Sequence, residues 1–391
     1  MFFINQVINL KKLLALLFSL IMLTSCGQST EIQYQAFAIG LGIDFKDNQY
    51  IVYMQYLDFS NVAQFEGDSI NTKKPVWLAV GKGKTIHDAL IEIYQAMQIQ
   101  SNFEHLTLFI FTEDAIKYRL QNIIESLNSI YSMRINGWVY GTDGDIGTIF
   151  TAKMPFYYPH TDSQLNHPET IQQSVADIPP ISAEEFIIAV EEKTKTLIMP
   201  KVVMNPKTIN IDTSNMPVVQ LDGGFFIKGY ELQGEIDREP MVGFIKMNND
   251  TKRTLTHVKY SDDETPVTAE IRNPKVKRSV IVKNGAPRYH LSVDISLILR
   301  EHAQKKNQKQ LHYLLRENLK EEIFQSISSA RNKNADIYQF EDYLFRYKNK
   351  LWAQKLHHDM LNNMTIDDID IKIREVKSSN KIGKNEGKRE H

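Results

Sequence analysis

Few residues in this chain are of a type and spacing that could do chemistry. Cys26 is its single cysteine, and a thiol is among the most readily activated nucleophiles a side chain offers. It closes Leu23-Thr24-Ser25-Cys26, directly behind an apolar N-terminal stretch. Gly81-Lys82-Gly83-Lys84-Thr85 sets glycines and cations between a strand pattern and a helix pattern, the setting of a phosphate-binding loop. The full pattern needs a glycine five residues before Gly83, and Leu78 stands there, so the residues read as a turn into a capped helix. The 11 histidines are scattered. None forms an H-x-x-x-H or H-x-x-E-H pair, and the adjacent His357 and His358 would point to different faces of a helix. Without cysteine partners they do not read as a zinc site. Asp262-Asp263-Glu264 and Asp367-Asp368 read as acidic turns without the spacing of a calcium loop. No Gly-x-Ser-x-Gly elbow occurs. Asp44 ends an apolar strand pattern, where a carboxylate acceptor caps the strand–turn junction. No catalytic, cofactor-binding or metal-binding residue is expected, which leaves the chemistry to Cys26.

Lys11 and Lys12 precede an apolar run of 11 residues, Leu13 to Leu23. That is far short of the ~20 needed for a helix to cross a bilayer. A basic patch, a short apolar core and small residues at the cut make a secretory signal over residues 1–25. An uncleaved anchor helix would bury both lysines in the membrane at roughly 2.5–3.5 kcal/mol each. Leu23-Thr24-Ser25-Cys26 resembles the lipobox of bacterial lipoproteins. There the thiol is alkylated with diacylglycerol, the signal is cut before the cysteine, and the freed amino group is open to N-acylation. The resemblance implies an S-diacylglycerol cysteine at position 26, a covalent lipid and no other cofactor. An exported chain also meets little nucleoside triphosphate, which argues further against a phosphate loop at Gly81.

Of 391 residues, 24% are charged and 42% hydrophobic, with a formal net charge of −1. That balance is ordinary for a globular protein and offers no global field for nucleic acid. With Cys26 lipidated no disulfide can form, so stability must come from packed cores. The mature chain is long enough for two or three domains. Residues 26–153 alternate strand patterns (36–44, 50–57, 75–80, 106–111, 136–140) with helix patterns beginning near 85 and 113, an α/β arrangement. Thr85 with Asp88 forms a capping box. Five prolines (155, 159, 168, 179, 180) make 154–181 an extended connection that disfavours helix and central strand alike. A small α+β unit is expected over 182–250, opening with a second capping box, Ser182 to Glu185, and continuing as glycine-punctuated strands at 218–227 and 231–236. A C-terminal α+β unit is expected over 251–376. It holds a hairpin turning at Asn284-Gly285, a helix over 304–330 with Leu311, Leu315, Leu319, Ile323 and Ile327 as its stripe, a helix over 336–357, and a strand at 369–376. Residues 377–391 hold one large apolar side chain, Ile382, among Lys, Ser, Asn and Gly, and read as a disordered tail.

The order of these segments resembles the Ger(x)C lipoproteins, the C subunits of bacterial spore germinant receptors. The matching residues are the lipobox at Cys26, Ala38-Ile-Gly-Leu-Gly-Ile-Asp44 followed by Tyr50-Ile-Val, Gly81 to Ala89, and His105-Leu-Thr-Leu-Phe-Ile110 with Glu113-Asp114. They continue with Met133-Arg134-Ile135, Gly224-Phe-Phe-Ile-Lys228 with Leu232-Gln-Gly234, and Ala335-Asp336 before a helix containing Trp352. The resemblance implies a three-domain α+β protein with mixed sheets flanked by helices, anchored on the outer face of the spore inner membrane. It implies A and B membrane subunits as partners, a small-molecule germinant bound by those partners, and no enzymatic activity. A lipoprotein solute-binding component of a transporter is the rival reading. That class uses two similar lobes about a hinged cleft, which a C-terminal third of hairpin and long helices does not match. A lipid-anchored hydrolase is the other, and the catalytic signatures it would need are missing.

Overall fold

Strands β1 (Gln35–Lys46) and β2 (Gln49–Tyr56) fold back on each other at Asp47-Asn48, both with positive φ. Asp and Asn tolerate that left-handed backbone, which matches a two-residue hairpin turn to strand twist. The structure is a computed structural model that describes residues 35–57, 75–130, 136–260, 265–283, 286–300, 307–355, 361 and 365–375. Leu23-Thr24-Ser25-Cys26, Met133-Arg134-Ile135, Asp262-Asp263-Glu264, Asn284-Gly285, His357-His358 and residues 377–391 lie outside the described residues.

The N-terminal sheet continues through β3 (Trp77–Gly83), β4 (Gln100–Asn102), β5 (Leu108–Thr112), β6 (Trp138–Thr142), β7 (Ile181–Ser182), β8 (Thr196–Ile211), β9 (Ser214–Lys228) and β10 (Glu231–Ile236). Its main path runs β10-β9-β8-β6-β5-β1-β2-β3, with β1, β5, β6 and β8 parallel and the flanking pairs antiparallel. Helices α1 (Ile86–Met97), α2 (Glu113–Ser129) and α5 (Ala183–Glu191) cover one face, around Phe109, Phe111 and Phe186. The other face carries the short helix α3 (Ile146–Phe150) and Leu165, packed on Leu108, Ile110 and Tyr140. The proline-rich connection lies on that face, held by Tyr140 Oη donating to Leu165 O at 3.0 Å and Gln164 to Val219 O at 2.8 Å. Where an extended run is expected, it includes two 3-10 turns, Pro155–Tyr157 and His160–Asp162, and one α-helical turn, α4 (Pro168–Gln172), which opens on proline, where the missing N–H costs nothing.

A second sheet, β11 (Arg253–Val258), β12 (Val267–Lys283), β13 (Ala286–Leu299) and β14 (Thr365–Glu375), runs in that order, with β14 parallel to β13. Helix α7 (Gln308–Arg331) lays its expected stripe, Leu311 to Ile327, into the core beneath it. The short helix α6 (Val242–Lys246) crosses α7 so closely that a Cβ on Gly243 would stand 2.1 Å from Glu322 O. Three expectations change. The helix expected over 336–357 is two, α8 (Phe340–Tyr347) and α9 (Asn349–Lys355), because Lys348 leaves helical geometry and the bend seats Trp352 against Phe345 with ring centroids 4.9 Å apart. Asp367-Asp368 belong to strand β14, where pairing with β13 replaces the expected turn. The long strand β8 has no counterpart in the sequence reading, since Pro200 and Pro206 break its pattern. Both sit at register shifts, where a proline removes no ladder bond.

Candidate functional site

Gly81-Lys82-Gly83 is extended strand, and its glycines serve packing. A Cβ on Gly81 would stand 2.1 Å from Ala89 O, and one on Gly83 2.6 Å from Ala89 N, so α1 rests directly on the β3 backbone. The Lys82 amide is taken by Glu92 Oε2 at 2.6 Å, and Thr85 and Asp88 satisfy each other's amides as the expected capping box. An acidic side chain thus occupies the place a phosphate would need. Asp44 lies inside β1, two residues before its end and not at the strand–turn junction: its Oδ1 accepts from Phe45 N at 2.7 Å and from the hydroxyl of Thr112, the N-cap of α2, at 2.5 Å, which ties β1 to the start of that helix.

What the fold brings together instead is a buried ionic junction between the first sheet and the C-terminal helices. Lys228, at the end of β9, donates to Glu341 Oε2 at 2.6 Å, and Trp352 Nε1 donates to Glu341 Oε1 at 3.4 Å. The Glu341 amide donates to Asp336 Oδ2 at 2.7 Å, and the Asp336 amide to Thr196 Oγ1 at 3.2 Å. Gln339, in the left-handed region at φ 56°, clasps the first residue of β8: its amide nitrogen donates to Thr196 O at 2.6 Å and its oxygen accepts from Thr196 N at 3.0 Å. Beside it Arg346 grips both oxygens of Asp342 at 2.9 and 3.0 Å and reaches Glu192 at 3.0 Å, and Thr194 donates to Asp342 at 3.3 Å. Asp336, Glu341 and Asp342 are all buried. Burial, with the neighbouring Glu341 charge, pushes the Asp336 carboxyl up to about 6, although the Glu341 amide, Arg278 and Lys228 pull it back. The buried Tyr289 stacks edge-on to Phe340 at 5.0 Å, and its hydroxyl has no hydrogen-bond partner among the described residues. Burial, then the Asp336 and Glu341 charges, push its pKa up.

Two further ion clusters tie strands. Lys201, its side chain only 5% exposed, lies among Asp237 at 3.1 Å, Glu235 at 3.3 Å and Asp143 at 3.8 Å, at the one register position where β6 meets β8, Gly141 beside Lys201. Burial works against its charge, but the hydrogen bond to Asp237 and the carboxylates of Glu235 and Asp143 win and raise its pKa. In the second sheet, the fully buried Glu270 is shared by Arg272, Arg300 at 2.7 Å and Arg253 at 3.0 Å. Burial opposes its ionisation, and the hydrogen bonds from Arg272 and Arg300 overcome it, holding the carboxyl below its usual range. These arrangements can fix one element against another. Each of these carboxylates is already engaged by a cation or an amide.

Lys201, Glu270, Tyr289 and Glu341 were not singled out by the sequence reading. A signal existed for Lys201, a lone cation inside Leu197-Ile-Met-Pro-Lys-Val-Val-Met204, and for Glu341, an acid inside an apolar helical stripe. Lys228, Asp336 and Trp352 belong to the segments that carry the family resemblance, and the fold assembles them at one place. Among the described residues no group of His, Cys, Asp and Glu is placed to hold a metal ion, and no helix is long and apolar enough to cross a membrane.

Residues 28–204 match the family described as spore germination protein N-terminal domain, and residues 222–377 the one described as spore germination B3/GerAC like, C-terminal. The chain is 25% identical over 305 residues to spore germination protein B3 of Bacillus subtilis (strain 168), covering 74% of each chain. A crystal structure of the GerBC protein superposes with a TM-score of 0.50 at 15% identity, covering 86% of this chain and 97% of the other, which supports the α+β fold. The family is one of germinant receptor components and is not known as an enzyme family. With both halves matched in order, the chain belongs to the Ger(x)C family of spore germination proteins.

Proposed function

We propose that this protein is a membrane-anchored lipoprotein subunit of a spore germinant receptor, held on the outer face of the spore inner membrane by a diacylglyceryl thioether on Cys26. It assembles there with the A and B membrane subunits and couples germinant binding by those partners to the response. The observation that carries this reading is the family match, which runs over residues 28–204 and 222–377 and so begins just after Cys26. The ionic junction supports it: Lys228–Glu341 and Gln339–Thr196 bind the C-terminal helices to the first sheet, so that a push on one is borne by the other. A transporter's solute-binding lipoprotein is a weaker reading, because β8, β9 and β10 extend the N-terminal sheet itself where that class would place a hinge between lobes. Cys26→Ala is expected to release the protein from the spore inner membrane fraction and to slow nutrient-triggered germination, with the wild-type protein co-purifying with A and B subunits from detergent extracts. Normal membrane retention of the Cys26→Ala protein would sink the anchoring claim, and absence of both subunits from the wild-type extract would sink the assembly claim.

A further inference from the structure

Along β1, β2 and β3, the end of the N-terminal sheet at which the chain enters the fold is poor in charge, with Glu104 exposed at its border and Lys195 and Lys228 farther along at β8 and β9. β1 begins at Gln35, paired with Gln100 of β4; the end of β2, Tyr56, lies opposite Ala38 and beside Trp77, the first residue of β3. Leu57 N donates to Phe37 O at 2.8 Å and the Tyr56 and Ser101 hydroxyls bond at 2.8 Å, which ties these ends into one rim. Helix α1 runs back from the Gly83 end of β3, so its last turn, with Tyr94 and Met97, closes the same rim. Gln98, left-handed at φ 57°, then turns the chain and leaves Ile99 facing outward. Trp77 is 60% exposed, Ile99 47% and Tyr94 40%. Pro75 to Gly81 and Tyr94 to Phe103 contain no Lys, Arg, Asp or Glu, whereas the opposite end of the same strands carries Lys46, Asp47, Lys84 and Asp88.

We propose that this rim lies against the lipid bilayer, with Trp77, Tyr94 and Ile99 seated in its interfacial layer. The proposal rests on the reading of Cys26 as the lipid anchor. Even fully extended, the chain from Cys26 to Gln35 spans at most ~30 Å, so the anchor holds this rim close to the membrane. Tryptophan and tyrosine favour the membrane–water interface, where the ring is buried and the polar edge stays wet. The two segments that carry Trp77, Tyr94 and Ile99 hold no ion that would have to be desolvated in that layer. The contact is weak by itself but intramolecular once the lipid is inserted, so a modest apolar area suffices to orient the protein.

The chain's one native thiol is consumed by the lipid, so Ile99→Cys, Trp77→Cys and Lys46→Cys variants of the full lipidated protein each offer one labelling site. With an environment-sensitive fluorophore on each, in membranes containing lipids with a nitroxide near the headgroup, the labels at 99 and 77 are expected to shift to the blue and lose emission to the nitroxide, and the label at 46 to do neither. A blue shift at 99 and 77 without nitroxide quenching would mean that a protein partner covers the rim, and would overturn the proposal. So would three labels that behave alike. Mass analysis of the N-terminal peptide separates the two claims: lipidated, membrane-retained protein with unshifted labels defeats the rim alone, whereas an unlipidated Cys26 with protein in the soluble fraction defeats the anchor and the rim together.

Discussion

Asp336 is the residue whose environment has the most direct consequence for stability. Its carboxyl sits at about 6 in the folded chain against an ordinary 3.8, chiefly because it is buried. Between those two values the folded protein binds more protons than the unfolded one, so stability falls as pH rises across that window. The contribution is complete below the lower value and gone above the upper, a difference on the order of 3 kcal/mol. Asp336→Asn removes the titration while leaving an oxygen to accept from the Glu341 amide. The variant should therefore gain on the wild type as pH rises, with the gap between them changing by about 2–3 kcal/mol from about pH 4 to about pH 7 in urea unfolding. A gap independent of pH would show that Asp336 is solvated. Glu270 behaves in the opposite sense, held ionised by its guanidinium neighbours, so the two buried acids differ by what surrounds them and not by depth.

The elements are specified by local features that differ in how openly the sequence declares them. Gly81 and Gly83 are fixed by the helix that lies on them, so Gly81→Ala must push α1 off β3 at a cost of about 1–3 kcal/mol, the usual range for overpacking. Lys82→Ala and Lys84→Ala, at exposed side chains, should cost within about 0.5 kcal/mol. Thermal unfolding of the three variants distinguishes packing glycines from a ligand loop: a loop that bound phosphate would make the lysines the sensitive positions and would respond to added nucleotide. Both capping boxes and the α7 stripe were legible in advance, because a cap acts within four residues and a stripe repeats at every helical turn. The β8 strand was not, since its prolines lie at register shifts that exist only once β9 is beside it. The Lys348 bend was equally hidden, because apolar spacing continues across it and only the seat of Trp352 against Phe345 requires the break. The ionic junction draws on residues from Glu192 to Trp352, and no local pattern reveals a contact closed over such separations.

At the scale of the whole molecule, β9 joins the two halves. Phe225 and Ile227 face the core under α2 and α5, while Phe226 between them faces the core that holds α7 and the second sheet. Alternation along one strand therefore serves two cores, and neither half can leave without baring one side of it to water, at roughly 25 cal/mol for each Å² of apolar surface exposed. The junction adds polar ties across the same seam, Lys228 to Glu341 and Gln339 to Thr196. Shared apolar surface and buried ion pairs both penalise partial unfolding, so the halves should melt together although composition divides the chain into segments. The three tryptophans allow this to be read directly. Trp138 reports the first sheet and Trp352 the junction. In a variant that keeps Trp352 alone, with Trp77 and Trp138 replaced by Phe, the fluorescence curve should match the far-ultraviolet circular dichroism curve of the same protein in midpoint and slope. If the Trp352 curve instead fell at lower denaturant, the C-terminal unit would be opening alone, and neither the shared strand nor the ionic junction would be holding the two halves as one cooperative unit.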